Sequence, residues 1–208
     1  MKILIIGGTG PTGKELIRQA LVQNHEVSVL VRDPSKLNAS ADKLKIITGN
    51  VLDVDVLKQA MTEAESVISV IGVGQSLKSN NLISNAVDKI IPAMNDAGVK
   101  RIIFLSAFGV GETIAQASWI QKIAFRLFLR DIYADKEIGS AKLQNSNLDW
   151  TIVSPVKLTN GTYTGNYKAA ERVKMKGFPS ISRADVADFL LKQLGDNSFV
   201  RKEVIVMD

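Results

Sequence analysis

The first 36 residues contain an apolar run, a glycine-rich turn, a helical pattern and a second apolar run. This order constrains the fold more than any other feature of the chain. Residues 2–6 form a short, mainly apolar run, residues 7–13 read Gly-Gly-Thr-Gly-Pro-Thr-Gly, and residues 26–31 form the second mainly apolar run. Between the turn and that run, apolar residues recur at helical spacing. The pattern predicts a strand–helix–strand unit with a tight glycine turn before the helix.

The glycines of this turn have separate predicted roles. Gly7 lets the chain leave the strand in a tight turn, Gly10 leaves space for a pyrophosphate beside the backbone, and Gly13 lets the helix pack closely. Free amides and the dipole at the helix start would attract the phosphates. The alternative is a purely structural turn of the same fold. The predicted cofactor-binding residues of the turn are Gly7, Gly8, Thr9, Gly10, Pro11, Thr12 and Gly13.

The rest of the chain continues the alternation of strands and helices. Further strands are predicted at 45–48, 66–71, 101–105, 149–153 and 203–207. Helices are predicted from the Asp53 cap through residue 61, at 79–97, at 131–145 and after a capping box at 182–185. We predict the α/β class, with a doubly wound parallel sheet (a Rossmann fold) in a single domain, 1–208. Residues 154–181 are predicted to form a small irregular cap on the substrate side.

Composition excludes several classes of site. The chain has no cysteine, which excludes disulfides and thiolate metal ligands, and its single histidine, His25, is predicted in a loop. No apolar run reaches the length of a membrane span, and from the position of the first strand we expect no targeting segment. The net charge of +5 comes from scattered basic residues without interleaved aromatic residues. We expect a cytoplasmic protein with an anionic cofactor, without a metal, nucleic-acid or membrane partner.

The residues after the second strand bear on the choice of cofactor. An acidic residue at this point would bind the ribose 2′-hydroxyl of NAD, whereas Arg32 comes directly after Val31, with Lys36 a turn later. A guanidinium matches the geometry of a phosphate, so Arg32 and Lys36 favour NADP(H). Asp33 is the competing signal for NAD, although Asp followed by Pro is typical of a helix start.

Other candidate residues follow later strands. Asn50 and Val51 are predicted beside the adenine ring, and Gly72 permits close approach of the cofactor after the fourth strand. Ser106 follows the fifth strand, at the sheet edge where the nicotinamide is expected.

Residues 114–130 depart from the simple alternation. The apolar residues recur at helical spacing and would line one face of a helix, with basic residues elsewhere. This pattern predicts a basic amphipathic helix. Such a helix can bind a membrane surface, but we favour packing on the sheet or on a partner. The apolar positions are Ile114, Trp119, Ile120, Ile123, Leu127 and Phe128, and the basic positions are Lys122, Arg126 and Arg130.

Several of these segments carry a family resemblance over nearly the whole chain. The chain resembles the atypical short-chain dehydrogenase/reductases with an NAD(P)H-binding, NmrA-like domain, and within them the flavin reductase/biliverdin-IXβ reductase group. The segments that carry it are residues 7–13, 29–33, 49–51, 106–108, 148–155 and 161–165. The resemblance implies NADPH binding at residues 8–13 with Arg32 on the 2′-phosphate. It also implies that Ser106 lies by the nicotinamide and that the 154–165 segment borders the substrate, with Phe108, Pro155, Lys157 and Tyr163 as candidate contacts.

The predicted catalytic residues depart from the family pattern. Typical short-chain dehydrogenases use Tyr-x-x-x-Lys, whereas Lys136 follows Tyr133 by three residues and Glu137 takes the fourth position. Tyr133 is therefore either a proton donor or a packing residue, and Lys136 is a candidate cofactor contact. Lys157 stands where the flavin reductase group has a histidine, which disfavours biliverdin-type activity. Lys157 would hold an anionic group or be a solvated loop residue.

The expected function is an NADPH-dependent reductase that transfers hydride to a flat conjugated acceptor such as a flavin, with Ser106, Lys136 and Tyr133 as candidate catalytic residues. The protein would act on a small molecule as a monomer or homodimer. One alternative is a non-catalytic, NADP-sensing regulator. Another is a quinone reductase or epimerase-like enzyme of the same fold.

Overall fold

An eight-stranded sheet forms the centre of the structure. The computed structural model describes residues 1–37, 42–74, 76, 78–175 and 177–208. The strands are β1 Lys2–Ile6, β2 Glu26–Val31, β3 Leu44–Thr48, β4 Ser66–Ser69, β5 Arg101–Leu105, β6 Asp149–Pro155, β7 Lys157–Thr159, β8 Lys168–Ala170, β9 Ser180–Ser182 and β10 Lys202–Met207. The sheet order is β3-β2-β1-β4-β5-β6-β10-β8, and β7 pairs with β9 in a separate small sheet. All pairs are parallel except β8 with β10.

Helices cover both faces of the sheet. They are α1 Pro11–Val22, α2 Val54–Met61, α3 Leu82–Asp96, α4 Trp119–Phe128, α5 Arg130–Gln144 and α6 Arg183–Lys192. On β1, Ile3 and Ile5 join the hydrophobic cluster that contains buried residues of α1 and α6. Leu4 and Ile6 join the opposite cluster, which contains buried residues of α2, α3 and α5. A parallel sheet buried on both faces explains why its strands read as continuous apolar runs. These features confirm the predicted doubly wound α/β fold.

The strand order reverses at β1. From β1 the chain moves outward through β2 to β3, then returns to place β4 on the other side of β1. The loops that leave the carboxyl ends of β1 and β4 therefore diverge to opposite faces of the sheet. Such a switch point leaves a crevice in which ligands of open α/β sheets bind.

The start of α3 is fixed by a carboxylate from another helix. Asn81, just before α3, has a φ of 56°, so the helix begins at Leu82 rather than at residue 79 as predicted. Asp135 of α5 is 1% exposed and accepts hydrogen bonds from the backbone N–H groups of Ile83 (2.9 Å) and Ser84 (2.8 Å). These amides have no partner within their own helix, so a distant residue supplies the cap.

Two expectations from the sequence are wrong in detail. The segment predicted to be irregular contains β7, β8 and β9, and β8 extends the main sheet because Ala169 and Ala170 pair with β10. The predicted helix over 114–130 is interrupted. Ile114 lies in a short 3₁₀ turn, and the Ser118 side chain accepts a hydrogen bond from the Gln121 amide to start α4 afresh. The apolar face of α4 is exposed to solvent and does not pack on the sheet.

Candidate nicotinamide-cofactor site

Loops from the carboxyl ends of six adjacent strands line one cavity of about 1300 Å³. It runs across the switch point, from the loop after β3 to the segment after β6, as expected for a ligand site of this fold. Residues that represent these six loops are Gly7 after β1, Arg32 after β2, Gly49 after β3, Gly72 after β4, Ser106 after β5 and Val156 after β6.

The glycine turn forms the floor of the cavity at the start of α1. Gly7 has a φ of 94°, and a Cβ on it would lie 2.7 Å from the carbonyl oxygen of Val70. A Cβ on Gly13 would collide with the Gly7 carbonyl and with Gly8, so only glycine lets α1 pack against this turn. Gly10 differs, because a Cβ on it would have the Gly7 carbonyl oxygen as its nearest neighbour, at an ordinary contact distance of 3.6 Å.

Backbone donors face the cavity next to Gly10. The first hydrogen bond of α1 runs from the Lys14 amide to the Gly10 carbonyl at 2.9 Å, so the amides of Thr12 and Gly13 precede the helical ladder. Residues 11–13 carry no acidic side chain, and both Thr12 and Gly13 line the cavity. The helix start therefore fits an anionic pyrophosphate.

The charges after β2 have different environments. Arg32 lines the cavity, is exposed and forms no ion pair within the described part of the chain. Asp33 caps the 3₁₀ turn Pro34–Lys36 and accepts hydrogen bonds from the Ser35 amide (3.1 Å) and hydroxyl (2.6 Å). The hydrogen bond from the Ser35 hydroxyl is the main reason that the pKa of Asp33 lies below its ordinary value. Lys36 also lines the cavity and pairs with Asp33 at 3.5 Å.

Ser106 and Lys136 meet at the end of β5. Ser106 is 3% exposed and lines the cavity, and its hydroxyl has no hydrogen-bond partner among the described residues. The Lys136 Nζ atom donates to the carbonyl oxygens of Leu105 and Ser106, at 3.1 Å each. Burial lowers the pKa of Lys136 to about 8, and the neighbouring Asp135 opposes that shift. The ammonium therefore fixes the backbone that presents the Ser106 hydroxyl.

Tyr133 lies one helical turn before Lys136 on the same cavity wall. Its hydroxyl donates to the Phe108 carbonyl at 3.1 Å, and burial raises the pKa of this phenol to about 12. Its ring packs against Phe125, which in turn meets Phe108 edge to face. The phenol is thus held by a protein carbonyl and is a weaker acid than a free tyrosine.

The substrate side of the cavity joins segments distant in sequence. Pro155 and Lys157 line it, and the Pro155 carbonyl accepts a hydrogen bond from the Phe108 amide at 2.9 Å. Sequence reasoning missed several residues that also line this side, because local patterns do not show which helix face meets a distant loop. They are Gln121, Ala124 and Phe125 of α4, Leu129 and Ile132 beside or in α5, and Phe178, Pro179 and Arg183 near the start of α6.

Three predicted site residues lie away from the cavity lining. Gly8 faces the core, where a Cβ would collide with Val29. The Asn50 side chain accepts a hydrogen bond from the Leu52 amide at 3.0 Å, so it stabilises its own turn, while Val51 lines the cavity. Tyr163 is 53% exposed and is not part of the lining.

The turn that follows Tyr163 is fixed to the start of α6. Asp185 accepts hydrogen bonds from the Thr164 amide (2.9 Å), the Gly165 amide (2.8 Å) and the Ser182 hydroxyl (2.7 Å). Burial favours the neutral carboxyl, but these hydrogen bonds outweigh it and hold the pKa of Asp185 below its usual value. The 161–165 segment is therefore anchored, and its tyrosine is about half exposed.

Comparison with known proteins agrees with this geometry. Residues 7–197 match a family model described as NAD(P)H-binding. The chain is 30% identical over 159 residues to the photosystem II assembly factor Ycf39 of Synechocystis sp., a match that covers 74% of this chain and 44% of that protein. The chain thus spans less than half of the length of this relative.

Solved structures share the fold at low sequence identity. ChuY, an anaerobillin reductase from Escherichia coli O157:H7, superimposes with a TM-score of 0.82 at 24% identity, over 99% of this chain and 96% of that one. A short-chain dehydrogenase/reductase from Veillonella parvula in complex with NADP gives a TM-score of 0.82 at 20% identity, over 100% and 94%. The predicted nicotinamide-cofactor fold is confirmed, and the family match over most of its length shows that the chain belongs to the NAD(P)H-binding family.

Proposed function

We propose that this protein is an NADPH-dependent reductase that transfers hydride from C4 of the nicotinamide to a flat, conjugated acceptor, with a flavin as the leading candidate. The observation that carries the proposal is the buried Ser106 hydroxyl, which lacks a partner among the described residues and belongs to the cavity lining beyond the glycine turn. A buried hydroxyl of this kind is suited to a hydrogen bond with a ligand. The reductase among the structural neighbours supports the same class of reaction.

The walls of the cavity suit an aromatic acceptor. Phe108, Phe125 and Ile132 line the side on which Ser106 lies, and Pro155 and Leu158 also belong to the lining. Flat conjugated rings pack well against such side chains. NADPH supplies the hydride when bound, while the protein orients the two reactants and limits the access of water.

The absence of a strong proton donor at Tyr133 fits this acceptor class. The Tyr133 phenol donates to the Phe108 carbonyl, and its raised pKa of about 12 makes it a poor general acid. A reduced flavin can take its proton from solvent, so the chemistry does not require a tyrosine acid. The proposed role of Lys136 is to hold the Ser106 backbone and to contact the cofactor ribose.

The preference for NADPH over NADH is proposed from Arg32. Its guanidinium lines the cavity just after β2 without a carboxylate partner in the described chain, whereas the side chain of Asp33 is occupied in a cap. A 2′-phosphate would find a cation there, and Lys36 adds a second positive charge. Asp33 is therefore less available to a ribose hydroxyl.

Replacement of Arg32 tests the cofactor preference. We expect Arg32→Ala to weaken NADPH binding by roughly 1.5–3 kcal/mol, because one charge-assisted contact with the 2′-phosphate is lost. NADH affinity should change little, since NADH has no such phosphate. Calorimetric titration of both cofactors measures the difference, with Arg172→Ala as a control for loss of an exposed arginine outside the cavity lining. Equal losses for NADPH and NADH would contradict the assignment.

Ser106 and Tyr133 are expected to differ in their effect on turnover. We expect Ser106→Ala to lower kcat by about tenfold. The reason is the loss of one hydrogen bond to the acceptor, which contributes about 1.4 kcal/mol. Tyr133→Phe should lower kcat by a much smaller factor than the roughly 10²–10⁴-fold that the loss of a general acid causes. Steady-state rates with a reducible flavin, together with NADPH titrations that should be unchanged, decide between these roles. A collapse in rate for Tyr133→Phe alone would identify the phenol as the proton donor.

The proposed activity itself is tested by NADPH oxidation with a panel of flavins, quinones and tetrapyrroles. We expect the fastest turnover with a flavin. Turnover with quinones only would favour the quinone reductase alternative. If the protein binds NADPH but oxidises it with no acceptor of the panel, the non-catalytic sensor is the better description.

A further inference from the structure

The helix α4 exposes most of its large apolar side chains to solvent. Over its ten residues it exposes five of them by between 48% and 71%. Its inward side carries smaller or less exposed residues, among them Gln121, Ala124 and Phe125. The exposed residues are Trp119, Ile120, Ile123, Leu127 and Phe128, and we call them the α4 apolar face.

This orientation is the reverse of that in an ordinary surface helix. Such helices bury their apolar stripe against the core and leave charges outside. Single exposed apolar residues are common, and in this protein Val22 and Ile138 are examples on other helices. A continuous apolar face is different, because patches of this kind mark sites of interaction with a protein or a membrane.

The charged side chains of residues 117–130, which include α4, have one sign. Lys122 and Arg126 of α4 are exposed, and each follows an apolar-face residue by three positions, about one helical turn. Arg130, at the start of α5, is also exposed. Residues 117–130 contain no aspartate or glutamate. None of the three cations forms an ion pair with another residue of the described chain.

We propose that α4 binds the surface of an anionic lipid membrane. The α4 apolar face would enter the boundary between headgroups and acyl chains, and the cations would contact lipid phosphates or carboxylates. A tryptophan at one end of the helix suits this boundary, where one part of the ring is in an apolar and the other in a wet environment. No helix in the described ranges is long and apolar enough to cross a membrane, so the association is peripheral.

The charge pattern favours lipid over a second copy of the chain. In a two-fold dimer through this face, α4 would meet another α4 with the same cations, and residues 117–130 supply no carboxylate to pair with them. The like charges would repel, whereas anionic lipid supplies both an apolar phase and the opposite charge. The sequence alone favoured packing on the sheet or a partner and no membrane. The exposure of the apolar face contradicts packing on the sheet.

The position of α4 links this surface to the cavity. Gln121, Ala124 and Phe125 line the cavity from the inner side of the same helix. A membrane bound at the outer side would therefore lie within one helix diameter, about 10 Å, of the cavity wall. The proposal concerns binding and does not depend on the proposed reductase activity.

Vesicle binding of the whole protein tests the proposal. Sedimentation with vesicles of phosphatidylcholine containing phosphatidylserine should carry the protein down, and vesicles of phosphatidylcholine alone should not. Two double variants, Trp119→Ser with Leu127→Ser and Lys122→Gln with Arg126→Gln, should each weaken binding by about tenfold or more. Val22→Ser, which changes an exposed apolar residue of α1 in the same way, is the matched control and should bind like the parent protein.

NADPH affinity and tryptophan fluorescence complete the vesicle experiment. Unchanged NADPH affinity in all variants shows that they are folded. The fluorescence of the parent protein should shift to the blue on addition of anionic vesicles, because Trp119 is 71% exposed and Trp150 is already buried. Absence of binding to anionic vesicles, or equal binding by the parent and both double variants, would overturn the proposal. So would a dimer that the Trp119→Ser, Leu127→Ser variant converts to a monomer, since a second copy would then cover the face.

Discussion

Gly10→Val should abolish binding of the dinucleotide while the protein stays folded. The backbone of Gly10 has φ −71° and ψ 162°, which valine adopts readily, and a Cβ there meets only the Gly7 carbonyl oxygen at 3.6 Å. The branched side chain would instead fill the space in which the pyrophosphate is expected. Loss of two charge-assisted hydrogen bonds, at about 1.5–3 kcal/mol each, weakens binding by roughly 100-fold or more.

Calorimetric titration with NADPH and thermal unfolding of the variant measure the two parts of this expectation. Gly195→Val is a suitable control, because a Cβ on Gly195 meets open space and the residue lies outside the cavity lining. Normal NADPH affinity in a folded Gly10→Val variant would show that the turn is only structural. In contrast, Gly13→Ala should reduce stability, since its Cβ collides with the Gly7 carbonyl and Gly8.

Asp135→Ala should lower the free energy of unfolding by roughly 2–5 kcal/mol, because two buried amides, those of Ile83 and Ser84, each lose a charged acceptor. Water cannot easily replace the carboxylate, since Asp135 is 1% exposed. The same carboxylate lies next to Lys136, so the loss should also loosen the wall of the cavity that holds Ser106.

Urea unfolding followed by circular dichroism measures this change. Asp88→Ala is the matched control, because the Asp88–Lys142 ion pair (2.6 Å) also joins α3 to α5 but is largely solvated. Its loss should change the free energy of unfolding by less than about 1 kcal/mol. An equally small effect for Asp135→Ala would show that the start of α3 does not depend on this carboxylate.

Much of the fold followed from local patterns. The bounds of β1, β2 and β5 agree with the sequence prediction, because each is an apolar run bounded by turn or polar residues. The capping role of Ser182 was also predicted from the sequence, and its hydroxyl accepts a hydrogen bond from the Asp185 amide at 2.9 Å. By contrast, β8 was missed, because a three-residue strand at a sheet edge is defined by its pairing with β10 and not by its own composition.

The candidate site was predictable only where it depends on a single turn or strand end. The turn at Gly7, Gly10 and Gly13 requires small residues for local steric reasons, and Arg32 and Ser106 follow strands whose carboxyl ends share one edge. The roles proposed for these residues remain predictions. Their convergence on one cavity follows from the parallel order of the strands, which the alternating pattern already implied.

The cofactor class and the doubly wound sheet could be predicted from the amino-acid sequence, because glycine spacing and apolar periodicity are patterns of only a few residues. Which side chains meet across long separations depends instead on how the elements pack in three dimensions. Phe125 and Arg183 line one cavity although 58 positions separate them in the chain, and Asp135 caps a helix that starts 53 positions earlier. Packing likewise turns the apolar face of α4 outward, since periodicity defines the faces of a helix but not which face meets the protein.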